Sequence, residues 1–213
     1  IIGNSRPSPH GSNPDIGAYE NSSSDVLYNP NKYVSVDGDN NNSGLITSPF
    51  RDIQYAINQA QNGDVINVIP GTYFERLDFS GKDISVIGQN ITSTIIDGNQ
   101  NGSVVRFQNG ETKEAVLENF TLTNGSDTQG GGIFISTASP TLKNLIISQN
   151  SAGEGGGISI SNQCNVVMSN LVIRNNSANQ RGGGVYAWGN VTLSLRDSEI
   201  SNNSAPHAGG MLL

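Results

Sequence analysis

The strongest constraint on this chain is a repeat of about 26 residues in its second half. Glycine triplets stand at 130–132, 155–157 and 182–184, and a degenerate copy follows as Ala208, Gly209 and Gly210. Each is followed by an apolar residue, Ile133, Ile158, Val185 and Met211, at spacings of 25, 27 and 26 residues. A second signature keeps step with the first: Asn119-Phe-Thr-Leu, Asn144-Leu-Ile-Ile, Asn170-Leu-Val-Ile and Asp197-Ser-Glu-Ile, closing on Asn124, Asn150, Asn176 and Asn203. A fixed period of this length marks an array of supersecondary units and decides the architecture before local propensity does.

Within one repeat, three short segments alternate with period 2, as in Ile133/Ile135, Leu142 and Leu145/Ile147, separated by Gly and Asn. That pattern predicts three strands per coil. A coil of this size cannot bury its own apolar face, so successive coils must stack with equivalent residues in register. The predicted fold is therefore all-β, a parallel β-helix with inward rows Ile133, Ile158, Val185, Met211 and Ile135, Ile160, Ala187, Leu213. The asparagines suit the bends, because Asn tolerates left-handed backbone and stacked amides can hydrogen-bond from coil to coil. The composition agrees: Asn (28), Gly (26) and Ser (26) supply turns, while 34% apolar residues would be thin for a conventional globular core.

The same logic runs upstream at a looser period through 65–69, 84–87, 94–96, 104–107 and 115–117, so the coils begin at about residue 64. Before them, Ser48-Pro49-Phe50-Arg-Asp-Ile53-Gln-Tyr-Ala56-Ile57-Asn-Gln-Ala60 has an N-cap serine, a first-position proline, a 3.6-period apolar face and a stop at Asn62-Gly63. This predicts an amphipathic helix over about 49–61, laid across the open end of the first coil. Residues 1–29 fit neither cap nor repeat and read as a linker, leaving 30–213 as the β-helix domain. The chain stops at Met211-Leu212-Leu213 in the middle of a strand, and further coils are expected in a longer parent protein.

The formal charge of -7 and pI of about 4.6 oppose nucleic acid and anionic lipid as partners, since both require a basic patch. A lone Cys164 excludes an internal disulfide framework, and no run approaches the 18 or so apolar residues of a membrane-spanning helix.

Three stretches justify a family comparison: Tyr33-Val-Ser-Val-Asp37-Gly-Asp39, Ser48-Pro-Phe-Arg-Asp-Ile-Gln-Tyr-Ala-Ile, and Gly63-Asp-Val-Ile-Asn-Val-Ile-Pro70-Gly-Thr-Tyr73. Together they resemble the opening of pectin-lyase-like proteins, which implies a right-handed parallel β-helix. The later copies, such as Asn150-Ser-Ala-Gly-Glu-Gly-Gly-Gly-Ile158, resemble the repeat of polymorphic outer-membrane proteins, which builds surface-exposed, often adhesive passenger domains. The leader, Arg6-Pro-Ser-Pro-His-Gly-Ser-Asn-Pro-Asp15-Ile-Gly-Ala-Tyr19-Glu, resembles the closing segment of a preceding β-helix domain in large secreted bacterial proteins. The resemblance implies a secreted or cell-surface, outer-membrane-associated protein whose partner is an extracellular polysaccharide or a glycan or protein on a host or neighbouring cell.

Lyase chemistry of the pectate type needs a Lys or Arg base and usually Ca2+ held by clustered carboxylates. Glu118, Asp127, Glu154, Asp197 and Glu199 fall at different places around the coil and form no column of three, so no catalytic residue is assigned within this segment. The possible bases are Lys143, Arg174, Arg181 and Arg196, and Lys143 lies one coil from Glu118 in the same outward row, which reads as a surface ion pair. His10 and His207 have no partner at triad or zinc spacing.

Two other features carry a functional reading. Asp37, Asp39 and Asn41 place oxygen ligands at alternate positions, as Ca2+ loops do, although such runs are also ordinary turn chemistry. By register, the outward row beside the glycine triplets holds Arg106, Phe134, Ser159, Tyr186 and Leu212, with Ser136, Ser161 and Trp188 two residues on. Arg106, Phe134, Tyr186 and Trp188 are the candidate ligand-binding residues, their aromatic faces free either to stack on sugar or to meet a covering loop or domain. Two function classes follow: a structural, adhesive or glycan-binding scaffold, and a polysaccharide lyase with its catalytic site in later coils.

Overall fold

The computed structural model describes residues 28–213. The linker and preceding-domain tail expected at the N-terminus, and His10, fall almost entirely outside the described residues.

Three parallel sheets wind around one core. The first runs β1 (Asn31–Val34), β2 (Val65–Val68), β5 (Ser85–Gly88), β8 (Val116–Thr123), β11 (Thr141–Ser148), β14 (Asn165–Arg174) and β17 (Thr192–Arg196). Beside this path, β3 (Gly71–Tyr73) pairs with β6 (Thr94–Asp97), β6 with β8, and β18 (Glu199–Ser201) with β14. The second sheet runs β4 (Leu77–Asp78), β7 (Val105–Phe107), β10 (Ile133–Ser136), β13 (Ile158–Ser161), β16 (Val185–Trp188) and β19 (Met211–Leu212). The third comprises β9 (Ser126–Gln129), β12 (Ser151–Glu154) and β15 (Ser177–Arg181). This is a β-solenoid with about 26 residues per coil, as the repeat predicts.

The inward rows stack in the predicted register, Ile133 against Ile158 and Ile158 against Val185. Ile133, Ile158, Val185, Ile135, Ile160 and Ala187 are all buried, and Met211 is half-buried. Leu213 departs from its predicted inward place and is 77% exposed, because it lies past the end of β19 and no described strand stacks on it. The triplets are glycine because coils approach there backbone to backbone: a Cβ on Gly156 would sit 2.3 Å from the Ser177 carbonyl oxygen and 2.6 Å from that of Gly183.

The bends separate two roles that the sequence pattern merges. Asn119, Asn144, Asn170 and Asp197 are left-handed, with φ of 65, 48, 55 and 49°, as expected of bend residues. At the second bend the left-handed positions are Asn124, Gln149, Asn175 and Asn202. Asn150, Asn176 and Asn203 come one residue later and form the coil-to-coil ladder instead: Asn150 Nδ2 donates to Asn176 Oδ1 (3.0 Å), and Asn176 Nδ2 to Asn203 Oδ1 (3.0 Å). Asn124 thus does not belong with these three. Gly125 holds their place, and its N–H donates to Asn150 Oδ1 at 2.8 Å.

The capping helix is shorter than its sequence signals imply. α1 spans Ile53–Gln59, with Asp52 rather than Ser48 at the N-cap and no cap bond from the Asp52 side chain. Glu75 supplies the cap from the following coil, its two oxygens accepting from the N–H groups of Ile53 (2.9 Å) and Gln54 (2.8 Å). Ser48 belongs to a tight turn, its N–H bonded to the Leu45 carbonyl at 2.9 Å. At the other end Lys82 Nζ donates to the carbonyls of Ile57 (2.7 Å), Asn58 (2.9 Å) and Ala60 (2.9 Å), which suits the negative end of a helix. Ile53, Ala56 and Ile57 are buried against the first coils.

Candidate functional site

The outer face of the second sheet carries the row that the register predicts. Asp78, Arg106, Phe134, Ser159, Tyr186 and Leu212 are consecutive cross-strand neighbours. Neighbouring strands are spaced by roughly 4.8 Å, so Arg106 to Tyr186 spans roughly 14 Å.

Exposure along this row differs from the expectation of three solvent-facing aromatics. Trp188 is 44% exposed and Phe134 half-buried, but Tyr186 is only 8% exposed. The cause is Arg181 of β15, whose guanidinium carbon lies 6.0 Å from the Tyr186 ring centroid and whose Nη1 donates to the phenol oxygen at 3.1 Å. Arg106 covers Phe134 in the same way, at 5.4 Å from its ring centroid.

Each arginine is in turn held by a carboxylate on the third sheet. Arg106 donates to Asp127, which also accepts from the Ser103 N–H (2.9 Å) and hydroxyl (3.1 Å). Arg181 pairs with Glu154 at 3.5 Å, and Glu154 accepts from Gln129 Nε2 at 3.2 Å. Partial burial alone would raise the Asp127 carboxyl, but the Thr128 and Ser103 N–H groups and the Arg106 guanidinium together hold it below the usual carboxylate range. The Arg181 guanidinium is pushed up by its Tyr186 and Glu154 partners.

A polar strip, Gln129–Glu154–Arg181, therefore runs parallel to the aromatic row. Sequence reasoning left Asp127, Glu154 and Arg181 as scattered charges. The available signal was an offset of five across each glycine triplet, which sets Gln129 beside Phe134, Glu154 beside Ser159 and Arg181 beside Tyr186. Ser159 is fully buried between the two rings' strands, and its hydroxyl is the one buried side-chain polar atom without a hydrogen-bond partner among the described residues.

The remaining candidates are dispersed. Asp39 Oδ1 accepts from the Asn41 N–H (2.8 Å) and Nδ2 (2.9 Å), forming a turn that does not include the Asp37 carboxylate. Among the described residues no three His, Cys, Asp or Glu side chains gather closely enough to hold a metal ion. Glu118 and Lys143 are in register as predicted, but Glu118 accepts from Asn144 Nδ2 at 3.2 Å, and no ion pair forms between them among the described residues. His207 lies at the far edge of the third sheet, bridged to Arg181. No helix among the described residues is long and apolar enough to cross a membrane.

No family model and no curated protein matches the sequence. Among solved structures the chain is similar to the pectin methylesterase PemA from Erwinia chrysanthemi, with a TM-score of 0.56 and 13% identity over 78% of this chain. The match covers 54% of that protein's length, so the chain spans about half of it. The shared feature is the fold: the chain is a right-handed parallel β-helix.

Proposed function

We propose that this segment is an extracellular binding scaffold that holds an extended glycan along the outer face of the second sheet. The observation that carries the reading is the row Arg106–Phe134–Ser159–Tyr186 with its neighbour Trp188: the guanidinium groups of Arg106 and Arg181 lie over the Phe134 and Tyr186 rings, fixed by Asp127 and Glu154, and the half-buried Phe134 and exposed Trp188 supply the accessible aromatic surface. Planar groups locked by their own partners lose little entropy when a ligand docks, and aromatic faces match the C–H faces of sugar rings. The exposed Trp188, two residues beyond Tyr186 on β16, widens this surface along the strand. An adhesive role on a cell surface, as the repeat implies, needs a binding face of this kind. Binding of a polysaccharide panel by the intact chain, measured on a glycan array, should be lost in the double variant Phe134→Ala/Trp188→Ala. An unchanged profile would remove the reading.

The structural neighbour's name supports a second reading, in which the full-length protein processes a pectin-like polymer. On this face, however, Asp127 and Glu154 are committed to arginines and the lowered Asp127 carboxyl is a weaker base than a free one, which leaves Asp78, bonded to Ser80 and Gln108, as the carboxylate of the row without an arginine. Release of methanol from methyl-esterified pectin, or of an unsaturated product from polyuronate, with loss of that activity in Asp127→Asn or Glu154→Gln, would put catalysis ahead of binding.

A further inference from the structure

We propose a second carbohydrate site, independent of the sheet face, in the cleft at the entrance to the capping helix, and we assign it an uncharged sugar ring as ligand. The cleft consists of two adjoining cavities that share Arg51. One, of about 300 Å3, is lined by Val36, Arg51, Asp52, Thr72, Tyr73, Phe74 and Glu75. The other, of about 310 Å3, is lined by Gly38, Asp39, Asn40, Asn41 and Arg51. Each reaches the size of a small-ligand pocket.

The apolar wall is unusual for this molecule. Tyr73 points into the core, so the strand alternation turns Phe74 outward, where it is 72% exposed. Val36, 41% exposed, lies over the bare backbone of Gly71 in the same wall, where a Cβ would meet its Cγ1 at 2.7 Å. An aromatic and a branched side chain thus flank a polar cleft instead of joining the core.

The polar part of the lining is held by its own hydrogen bonds. Asn40 Oδ1 accepts from the backbone N–H groups of Arg51 (3.0 Å) and Asp52 (3.1 Å), and its Nδ2 donates to Asp52 Oδ2 at 2.7 Å. Arg51 Nε donates to Asp52 Oδ1 at 3.1 Å. Its terminal amino groups have no protein acceptor among the described residues, so they are available to ligand oxygens. A phenyl ring that lines one cavity with a guanidinium and a carboxylate, next to amides, matches a pyranose, which has a C–H face and neighbouring hydroxyls that accept from a guanidinium fork and donate to a carboxylate.

Charge selects the kind of sugar. The carboxylates of Asp52, Asp39 and Glu75 all bear on the Arg51 guanidinium. One cation against three acids leaves the cleft net negative, which disfavours uronates and sulfated sugars and favours a neutral ring.

The test is saturation-transfer NMR on the intact chain with methyl β-glucopyranoside, methyl β-galactopyranoside and methyl α-mannopyranoside, with galacturonate as the anionic comparator. At least one neutral glycoside should receive transfer and bind at least about tenfold more tightly than galacturonate, the scale set by one charged contact. Binding should vanish when Phe74→Ala is added to the Phe134→Ala/Trp188→Ala background that removes the sheet face, and the exposed Phe74 ring leaves the melting temperature unchanged. It should weaken about tenfold in Arg51→Ala, which loses charge-assisted bonds. It should persist in Phe134→Ala/Trp188→Ala, which separates this site from the sheet face. Absence of transfer to every neutral glycoside, equal binding of galacturonate, or binding that survives Phe74→Ala in the Phe134→Ala/Trp188→Ala background would overturn the proposal.

Discussion

Replacing Asn176 by Ala tests the proposed role of the buried amide ladder directly. Asn176 is 1% exposed and its side chain makes four hydrogen bonds. It donates to the Ile147 carbonyl (2.9 Å) and to Asn203 Oδ1 (3.0 Å), and it accepts from the N–H (3.0 Å) and Nδ2 (3.0 Å) of Asn150. Asn150 Nδ2 would retain the Leu122 and Ser148 carbonyls, and Asn203 Oδ1 would retain the Asn176 N–H. The buried Asn150 N–H would retain nothing. The three exchanged bonds cost about 1 kcal/mol each and the orphaned buried donor about 1–3 kcal/mol, so a loss of about 4–6 kcal/mol is expected. Asn176→Asp should cost more at neutral pH, because a carboxylate would face the Ile147 and Asn203 oxygens. Facing them raises its folded-state pKa, so part of the loss should return on acidification. Asn170→Gly is the control: it keeps the left-handed bend (φ 55°) and removes one exposed bond of 3.0 Å to Asn144, for a loss below about 1 kcal/mol. The measurement is urea unfolding followed by far-UV circular dichroism. A loss under about 1 kcal/mol for Asn176→Ala, at unchanged m-value, refutes the reasoning.

Other outcomes follow from the same geometry. Gly156→Ala drives a Cβ to 2.3 Å from a neighbouring coil's carbonyl oxygen and should cost about 3 kcal/mol or more, whereas Gly210→Ala, whose nearest neighbour would be the Ile200 methyl at 3.9 Å, should be nearly neutral in the same melts. Lys82→Met removes a charged cap from three helix carbonyls and should lower stability by about 1–2 kcal/mol, read as a fall in melting temperature. The Asp127 carboxyl is lowered in the fold, so its stabilisation is present above the unfolded value of about 3.9 and fades as pH drops through the folded value. Glu75 is shifted the opposite way: burial raises it despite its two backbone bonds, so its linked stability is fullest below the unfolded value of about 4.3 and declines as pH rises through the folded one. Melting curves of Asp127→Asn and Glu75→Gln against pH should therefore deviate from the parent with opposite slopes. Parallel curves would contradict the assignment.

The solenoid was legible because its cause is periodic. Stacked coils must place equivalent residues in register, so Ile133, Ile158 and Val185 announce a core row without any knowledge of the loops. The bends were half legible. Left-handed backbone and amide stacking both select Asn, and where Asn175-Asn176 and Asn202-Asn203 stand in pairs the sequence cannot say which residue turns and which one stacks. The helix boundary was missed for a different reason. Ser48 and Pro49 are correct local signals, but a carboxylate 22 residues downstream of Ile53 outcompetes them, because Glu75 can satisfy two orphan N–H groups from one buried position.

The candidate site shows the same division between register and contact. The row Arg106–Phe134–Ser159–Tyr186 follows from strand pairing alone and was readable. Which of its members face solvent was not, because that depends on Arg181 and Asp127, which reach it from another sheet across the glycine turn. Glycine at that turn links the two facts. The triplets let the third sheet fold back against the second without a Cβ between coils, and this close return brings Glu154 and Arg181 within reach of the aromatic row. The element that makes the repeat recognisable is thus also the one that assembles the proposed binding face. Substitutions at the triplets should therefore disturb ligand binding and stability together, whereas Trp188→Ala should disturb binding alone.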